Sequence, residues 1–132
     1  MAGEAEIVRK ALAAFNAGDN DLVVAAFDPD VELVPARAVL EGSEYRGHDG
    51  FRRFVADMDE DWDTFHPELD EVRELGDGRV LVLGHLQASG KASGMEVDST
   101  AAWLCDVRED RITRVRFYTD ERAALEAAGI AP

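Results

Sequence analysis

Three strand-length segments follow one another between Arg79 and Thr119, and each is apolar on both of its alternating faces. Successive side chains of a strand point to opposite sides of the sheet. One set therefore holds Leu81, Leu83, His85 and Gln87, then Glu96, Asp98, Thr100, Ala102 and Leu104, then Val115, Phe117 and Thr119. The other holds Val80, Val82 and Leu86, then Val97, Ala101, Trp103 and Cys105, then Ile112, Arg114, Arg116 and Tyr118. Both carry more apolar surface than a solvated face tolerates, and an exposed patch of that size marks an interface. The connections Lys91-Ala92-Ser93-Gly94 and Glu109-Asp110 are short, which makes neighbouring strands antiparallel. The economical solution covers one face with helices and the other with a second copy of the chain, through Trp103, Arg114, Arg116 and Tyr118. A monomer with an exposed convex face is the alternative.

The segments before and after this meander supply the helices. Ile7, Ala11, Leu12 and Phe15 recur at helical spacing, and Gly18 offers a left-handed stop. Asp19 or Asn20 caps a second short helix presenting Leu22, Val23, Ala26 and Phe27, which Pro29 closes. A first strand is expected around Val31, Leu33 and Pro35, then a loop from Val39 to Gly47 with a short strand near Tyr45. Phe51, Phe54, Val55, Met58 and Trp62 form the stripe of a third helix whose acids face solvent. An alternating strand from Phe65 to Leu75 enters the turn Gly76-Asp77-Gly78, a hairpin signal. Strands over Arg79–Gly90, Met95–Arg108 and Arg111–Thr119 follow, and Asp120 caps a final helix, Glu121–Ala128, ended by Gly129. This order of elements reads as one α+β domain spanning residues 1–132, with a mostly antiparallel sheet.

Charge and cysteine content exclude several functions. A formal charge of −14 on 132 residues disfavours nucleic acid and anionic membranes as partners, since both are bound by positive patches. Cys105 is the only cysteine, so no intrachain disulfide or cysteine-based metal cluster forms, and its apolar strand makes it a buried thiol. Three scattered histidines at no ligand spacing argue against a metal site. No phosphate-binding loop or nucleophile elbow is present, so no cofactor is expected. Met1–Arg9 lacks an apolar signal core and no run reaches membrane-span length, which makes a cytoplasmic location the simplest expectation.

Phe15-Asn16-Ala17-Gly18-Asp19, Phe27-Asp28-Pro29-Asp30-Val31 and Gly47-His48-Asp49-Gly50-Phe51 resemble the SnoaL-like branch of the nuclear transport factor 2-like superfamily. So does the closing series Ala102-Trp103-Leu104, Asp110-Arg111-Ile112 and Tyr118-Thr119-Asp120. The resemblance covers nearly the whole chain. It implies a cone: a curved sheet wrapped around N-terminal helices, with an internal pocket and frequent dimerisation through the sheet. It also implies that the set containing Gln87 and Asp98 looks into the cone. The family includes polyketide cyclases, steroid isomerases, epoxide hydrolases and dehydratases, so activity has to be argued from the site. At positions matching the isomerases' tyrosine and two acids stand Ala11, Pro35 and Ala102, and Phe117 replaces an epoxide-hydrolase acid, so neither apparatus is present.

A buried polar side chain must find partners or meet a desolvation penalty of a few kcal/mol, and a cavity holding water or a guest is a common resolution. His85 is the candidate catalytic group, because an imidazole titrates near neutral pH. Asp98 on the next strand is expected close to its facing rung, where it fixes the tautomer. Gln87, Glu96 and Thr100 join them as a polar wall, against an apolar wall of Phe15, Phe54, Met58, Trp62 and Phe117. The alternative is a His85–Asp98 pair that satisfies itself without turnover. The function expected is binding of a small apolar or mixed-polarity organic molecule, with cofactor-free acid–base chemistry such as isomerisation, cyclisation or dehydration if there is turnover. A non-catalytic carrier or sensor, and less readily a protein-docking module, are the alternatives.

Overall fold

The computed structural model describes residues 3–34 and 45–130. Helix α1 spans Glu4–Asn16 and α2 spans Asn20–Ala26, followed by strand β1 (Phe27–Val34) and the two-residue β2 (Tyr45–Arg46). Helix α3 (Gly47–Asp61) leads into the long strands β3 (Trp62–Glu74), β4 (Arg79–Gly90) and β5 (Glu96–Arg108). Strand β6 (Arg111–Tyr118) and helix α4 (Glu121–Ala128) complete the fold. Among the described residues the six strands form one sheet in the order β2-β1-β6-β5-β4-β3. Of the strand pairs among the described residues only β1–β6 is parallel, so the expected α+β, mostly antiparallel architecture is observed. Pro35 and the part of the expected loop from Val39 to Glu44 lie outside the described residues.

Local chemistry sets most boundaries where the sequence places them. Asp19 accepts a hydrogen bond from the Leu22 amide (3.2 Å) at the start of α2, and Asp120 accepts one from Arg122 (3.0 Å) at the start of α4. Gly129 closes α4 with a left-handed φ of 78°. Two boundaries move. β1 begins at Phe27, which pairs with Ile112, and the ladder skips to Glu32, leaving room for Pro29 without a lost amide bond. Trp62 opens β3 in extended backbone (φ −127°, ψ 134°), one residue beyond the helix whose stripe it continues.

The sheet buries both faces, but not in the expected assignment. Val80, Val82, Cys105, Val107 and Ile112 pack against Ile7, Val8, Ala11 and Ala14 of α1, Val23 of α2 and Phe51 of α3. This face, further lined by Leu86, Ala88 and Ala101, is the inner one. The set that starts with Leu81 and Leu83 faces the other way, where Ala102 and Leu104 pack under Ala124 and Ala128 of α4. His85, Gln87, Glu96, Asp98 and Thr100 belong to that outer set by strand alternation, which corrects the expectation that they look into a cone. The physical reason is the burial requirement itself: no polar or charged side chain is buried among the described residues. The continuously apolar set goes inward, and the set that turns polar after Leu83 goes outward.

A bulge also regroups the two expected sets. Asp106 pairs with Arg114 and Val107 with Ile112, so Thr113 is an extra residue in β6. Beyond it the alternation of β6 shifts by one, and Val115 and Phe117 turn inward while Arg114, Arg116 and Tyr118 turn outward. Trp103, expected on an outer dimer surface, instead packs on the inner face against Phe117, with ring centroids 5.5 Å apart. Much of the outer apolar surface is occupied by α4 of the same chain.

Another bulge, at Asp70, is paired with a tight backbone approach. Leu69 faces Gly84 and Glu71 faces Leu83, so Asp70 has no rung of its own. A Cβ on Gly84 would lie 1.9 Å from the Glu68 carbonyl oxygen, so only glycine fits there. Gly84→Ala is expected to destabilise the fold by at least the roughly 1–3 kcal/mol of ordinary overpacking. A urea midpoint unchanged from the parent protein would contradict this reading.

Candidate functional site

The inner layer does not close completely at the end of the sheet where α3 hands over to β3. A recess of about 300 Å³ opens there between α1, the start of α2, the last turns of α3 and the first residues of β3. Phe15, Val55, Met58, Trp62 and Phe65 supply its apolar wall, and Asn20, Asp59 and Asp63 its polar rim. The wall follows from pattern: Val55 and Met58 lie one helical turn apart on α3, and Phe15 sits near the end of α1. Asp63 reaches the rim through a third irregularity, because Trp62 pairs with Gly90 and Thr64 with Ser89, leaving Asp63 out of the ladder.

The aromatic side chains of this end form a connected set. Phe15 meets Phe65 edge-on at 6.3 Å between centroids, and Phe65 meets Trp62 at 6.4 Å. Phe54 stands behind Phe15 at 6.5 Å. All four are only partly buried, unlike the sealed Phe27 and Phe51 further inside. Rings held by one another but not capped leave apolar surface available to a guest.

Of the expected apolar wall, Phe15, Met58 and Trp62 line the recess directly. Phe54 adjoins it through Phe15, and Phe117 lies deeper on the inner face beside Trp103. The expected polar wall is elsewhere. Gln87, Glu96, Asp98 and Thr100 are exposed on the outer side of the β4–β5 hairpin. There Gln87 faces Asp98 across the ladder, and the Thr100 hydroxyl donates to the Thr119 carbonyl (3.3 Å). The sequence places Val55 on the α3 stripe, Asn20 at the α2 cap, Phe65 at a strand start and Asp59 and Asp63 among the solvated acids of α3, and none of them at a binding site. Alternation along β3 points to Phe65, whereas nothing in the pattern signals the bulge at Asp63.

His85 does not pair with Asp98. The hairpin register sets His85 opposite Thr100, two positions along β5 from the expected partner, which faces Gln87. Its imidazole is held from the neighbouring strand instead, Nδ1 bonding Asp70 Oδ2 (3.1 Å) and Nε2 bonding Glu68 Oε2 (2.7 Å). The Asp70 bulge is what brings this second carboxylate onto the same face. The Asp70 hydrogen bond, with the attraction of both carboxylates, raises the His85 pKa above its ordinary 6.5 against a smaller opposing effect of desolvation. His48 bonds the Phe27 carbonyl (3.2 Å) near the start of α3, a structural contact. Cys105 is buried, and desolvation pushes its thiol up to about 12, which removes it as a nucleophile near neutral pH. Among the described residues no cluster of three metal-ligating side chains occurs, and no helix is long and apolar enough to cross a membrane.

With the fold and this end of the molecule defined, comparison places the chain among known proteins. A family model for the SnoaL-like domain matches residues 8–115. An uncharacterized protein of Mycobacterium tuberculosis is 36% identical over 121 residues, covering 89% of this chain and 90% of that protein. The chain belongs to the SnoaL-like family. Its fold is that of the nuclear transport factor 2-like proteins: one from Burkholderia thailandensis superposes with a TM-score of 0.81 at 22% identity, over 100% of both chains. TerC, solved after co-crystallization with polyporic acid, superposes with a TM-score of 0.79 at 23% identity, over 93% of this chain and 95% of that one.

The raised pKa of His85 has a signed consequence. A histidine whose folded pKa exceeds its unfolded value contributes stability that is fully present below the unfolded pKa and fades as pH rises through the folded one. The melting-temperature difference between the parent and His85→Gln is therefore expected to be larger at about pH 5.5 than at about pH 8.5. Equal differences at both pH values would mean that the two carboxylates do not hold a charged imidazole.

Proposed function

We propose that this protein binds a small, largely apolar organic molecule in the recess between α1, α3 and β3. The observation that carries the reading is the set of partly buried rings, Phe15, Trp62 and Phe65, around an opening of about 300 Å³. A volume of this size suits a small organic guest, and aromatic side chains offer it more contact area than aliphatic ones of equal mobility. The co-crystallization of TerC, a protein of the same fold, with polyporic acid supports a small-molecule role for such a frame.

The reading favours a binding protein, a carrier or sensor, over an acid–base enzyme centred on His85. A guest in the recess lies on the inner side of the sheet, and the imidazole with its carboxylates lies on the outer side. Proton transfer requires contact at about 3 Å or through one water, and a packed sheet separates the two. Acid–base chemistry on a bound guest would fall to the rim carboxylates of Asp59 and Asp63.

Titration with small aromatic compounds, followed by isothermal calorimetry and by thermal shift, tests the proposal. Trp62→Ala is expected to weaken binding by roughly tenfold or more through lost ring contact, whereas His85→Ala leaves affinity unchanged. The opposite ranking would move the site to the outer face and overturn the reading.

A further inference from the structure

We infer that the recess selects a cationic guest, an aryl- or alkyl-ammonium compound, over neutral and anionic molecules of the same shape. This rests on the recess being the binding site and adds the chemical class of its ligand. The first observation is the charge of the lining. Both ionisable groups among the lining residues, Asp59 and Asp63, are carboxylates, and both are exposed at the rim. Among the described residues neither carboxylate is paired with a cation.

The second observation is the helix beside them. α3 ends at the recess, so its last carbonyls present the negative end of a helix dipole there. A helix end of this polarity is stabilised by basic side chains, yet the last turn of α3 contains none and carries Asp59, Glu60 and Asp61. That arrangement is unfavourable by itself and becomes favourable when a positive charge arrives. The chain supplies one partial answer from its own residues. The Lys91 ammonium donates to the Asp59 carbonyl (2.6 Å), and the Lys91 amide donates to the Asp61 carbonyl (3.1 Å). An ammonium group is thus already accommodated at this helix end, on a backbone oxygen, leaving the Asp59 and Asp63 carboxylates free.

The third observation is the aromatic wall. The rings of Phe15, Trp62 and Phe65 line the same recess as the carboxylates, and aromatic faces attract cations as well as apolar groups. A neutral aromatic guest gains only the apolar part of this environment, and a carboxylate guest is repelled by the rim. A molecule with an apolar body and an ammonium head gains from all three features together. The net charge of −14 adds a long-range field of the same sign.

Three probes with a common phenylpropyl body separate these contributions: phenylpropylamine, phenylpropanol and phenylpropanoate. Isothermal titration of the full chain at neutral pH is expected to give the amine roughly tenfold tighter binding than the alcohol, with the carboxylate weakest. A tenfold rise in salt is expected to weaken the amine and leave the alcohol nearly unaffected. In Asp59→Asn/Asp63→Asn the advantage of the amine over the alcohol is expected to fall to about threefold or less. Alcohol or carboxylate binding as tightly as the amine overturns the cation preference while leaving the recess as the binding site. Failure of all three probes to bind overturns both.

Discussion

The pleat of β4 and β5 sends alternate side chains into two separate apolar layers, and the rest of the fold is arranged to keep both of them dry. Val80 and Val82 go to one layer, Leu81 and Leu104 to the other, and all four are essentially inaccessible to water. Burial of each such side chain contributes about 1.5–3 kcal/mol relative to exposure. Helices α1, α2 and α3 cover the first layer, and α4 covers the second. The small residues Ala124 and Ala128 let α4 lie close over Leu81, Leu83 and Leu104. Because α4 has only eight residues, it covers only part of the outer face. Where its cover ends, the outer set turns polar at His85, and so the sequence and the cover agree.

That agreement explains where function can reside. The outer strip beyond α4 carries hydrogen-bonded and ion-paired side chains, with His85 gripped by Glu68 and Asp70. The inner layer is sealed along much of its length and loosens where α3 gives way to β3. There the chain changes from a helical to an extended backbone in a single residue, Trp62, and a bulge follows at Asp63. Local irregularity of this kind re-aims side chains that regular elements would point elsewhere.

Most of the fold is legible in the sequence because its boundaries are written by local chemistry: Asp19 and Asp120 as caps, Gly129 as a stop, and the glycines flanking Asp77 as a turn. The orientation of the sheet is less legible, since two faces that are both apolar give periodicity nothing to distinguish. One signal was present: the set running Val80, Val82, Leu86 and Ala88 stays apolar to its end, whereas the Leu81 set does not. The bulges at Asp63, Asp70 and Thr113 are a different matter, because each depends on pairing with a distant strand and shifts which side chains share a face. They account for the outward turn of Arg116, the inward turn of Phe117 and the capture of His85 by Asp70. Phe15, Met58 and Trp62 lie around one recess because helix spacing and the end of α3, not strand register, set their positions.

The solitary thiol of the chain gives this architecture a built-in reporter. Cys105 belongs to the inner layer of the sheet under α1 and is buried in the closed fold. Alkylating reagents reach it only when strands and helices part, so the rate of its labelling measures how often the molecule opens rather than how reactive the sulfur is. A ligand that binds only the closed fold would slow that reaction, with no dye or tag attached to the protein.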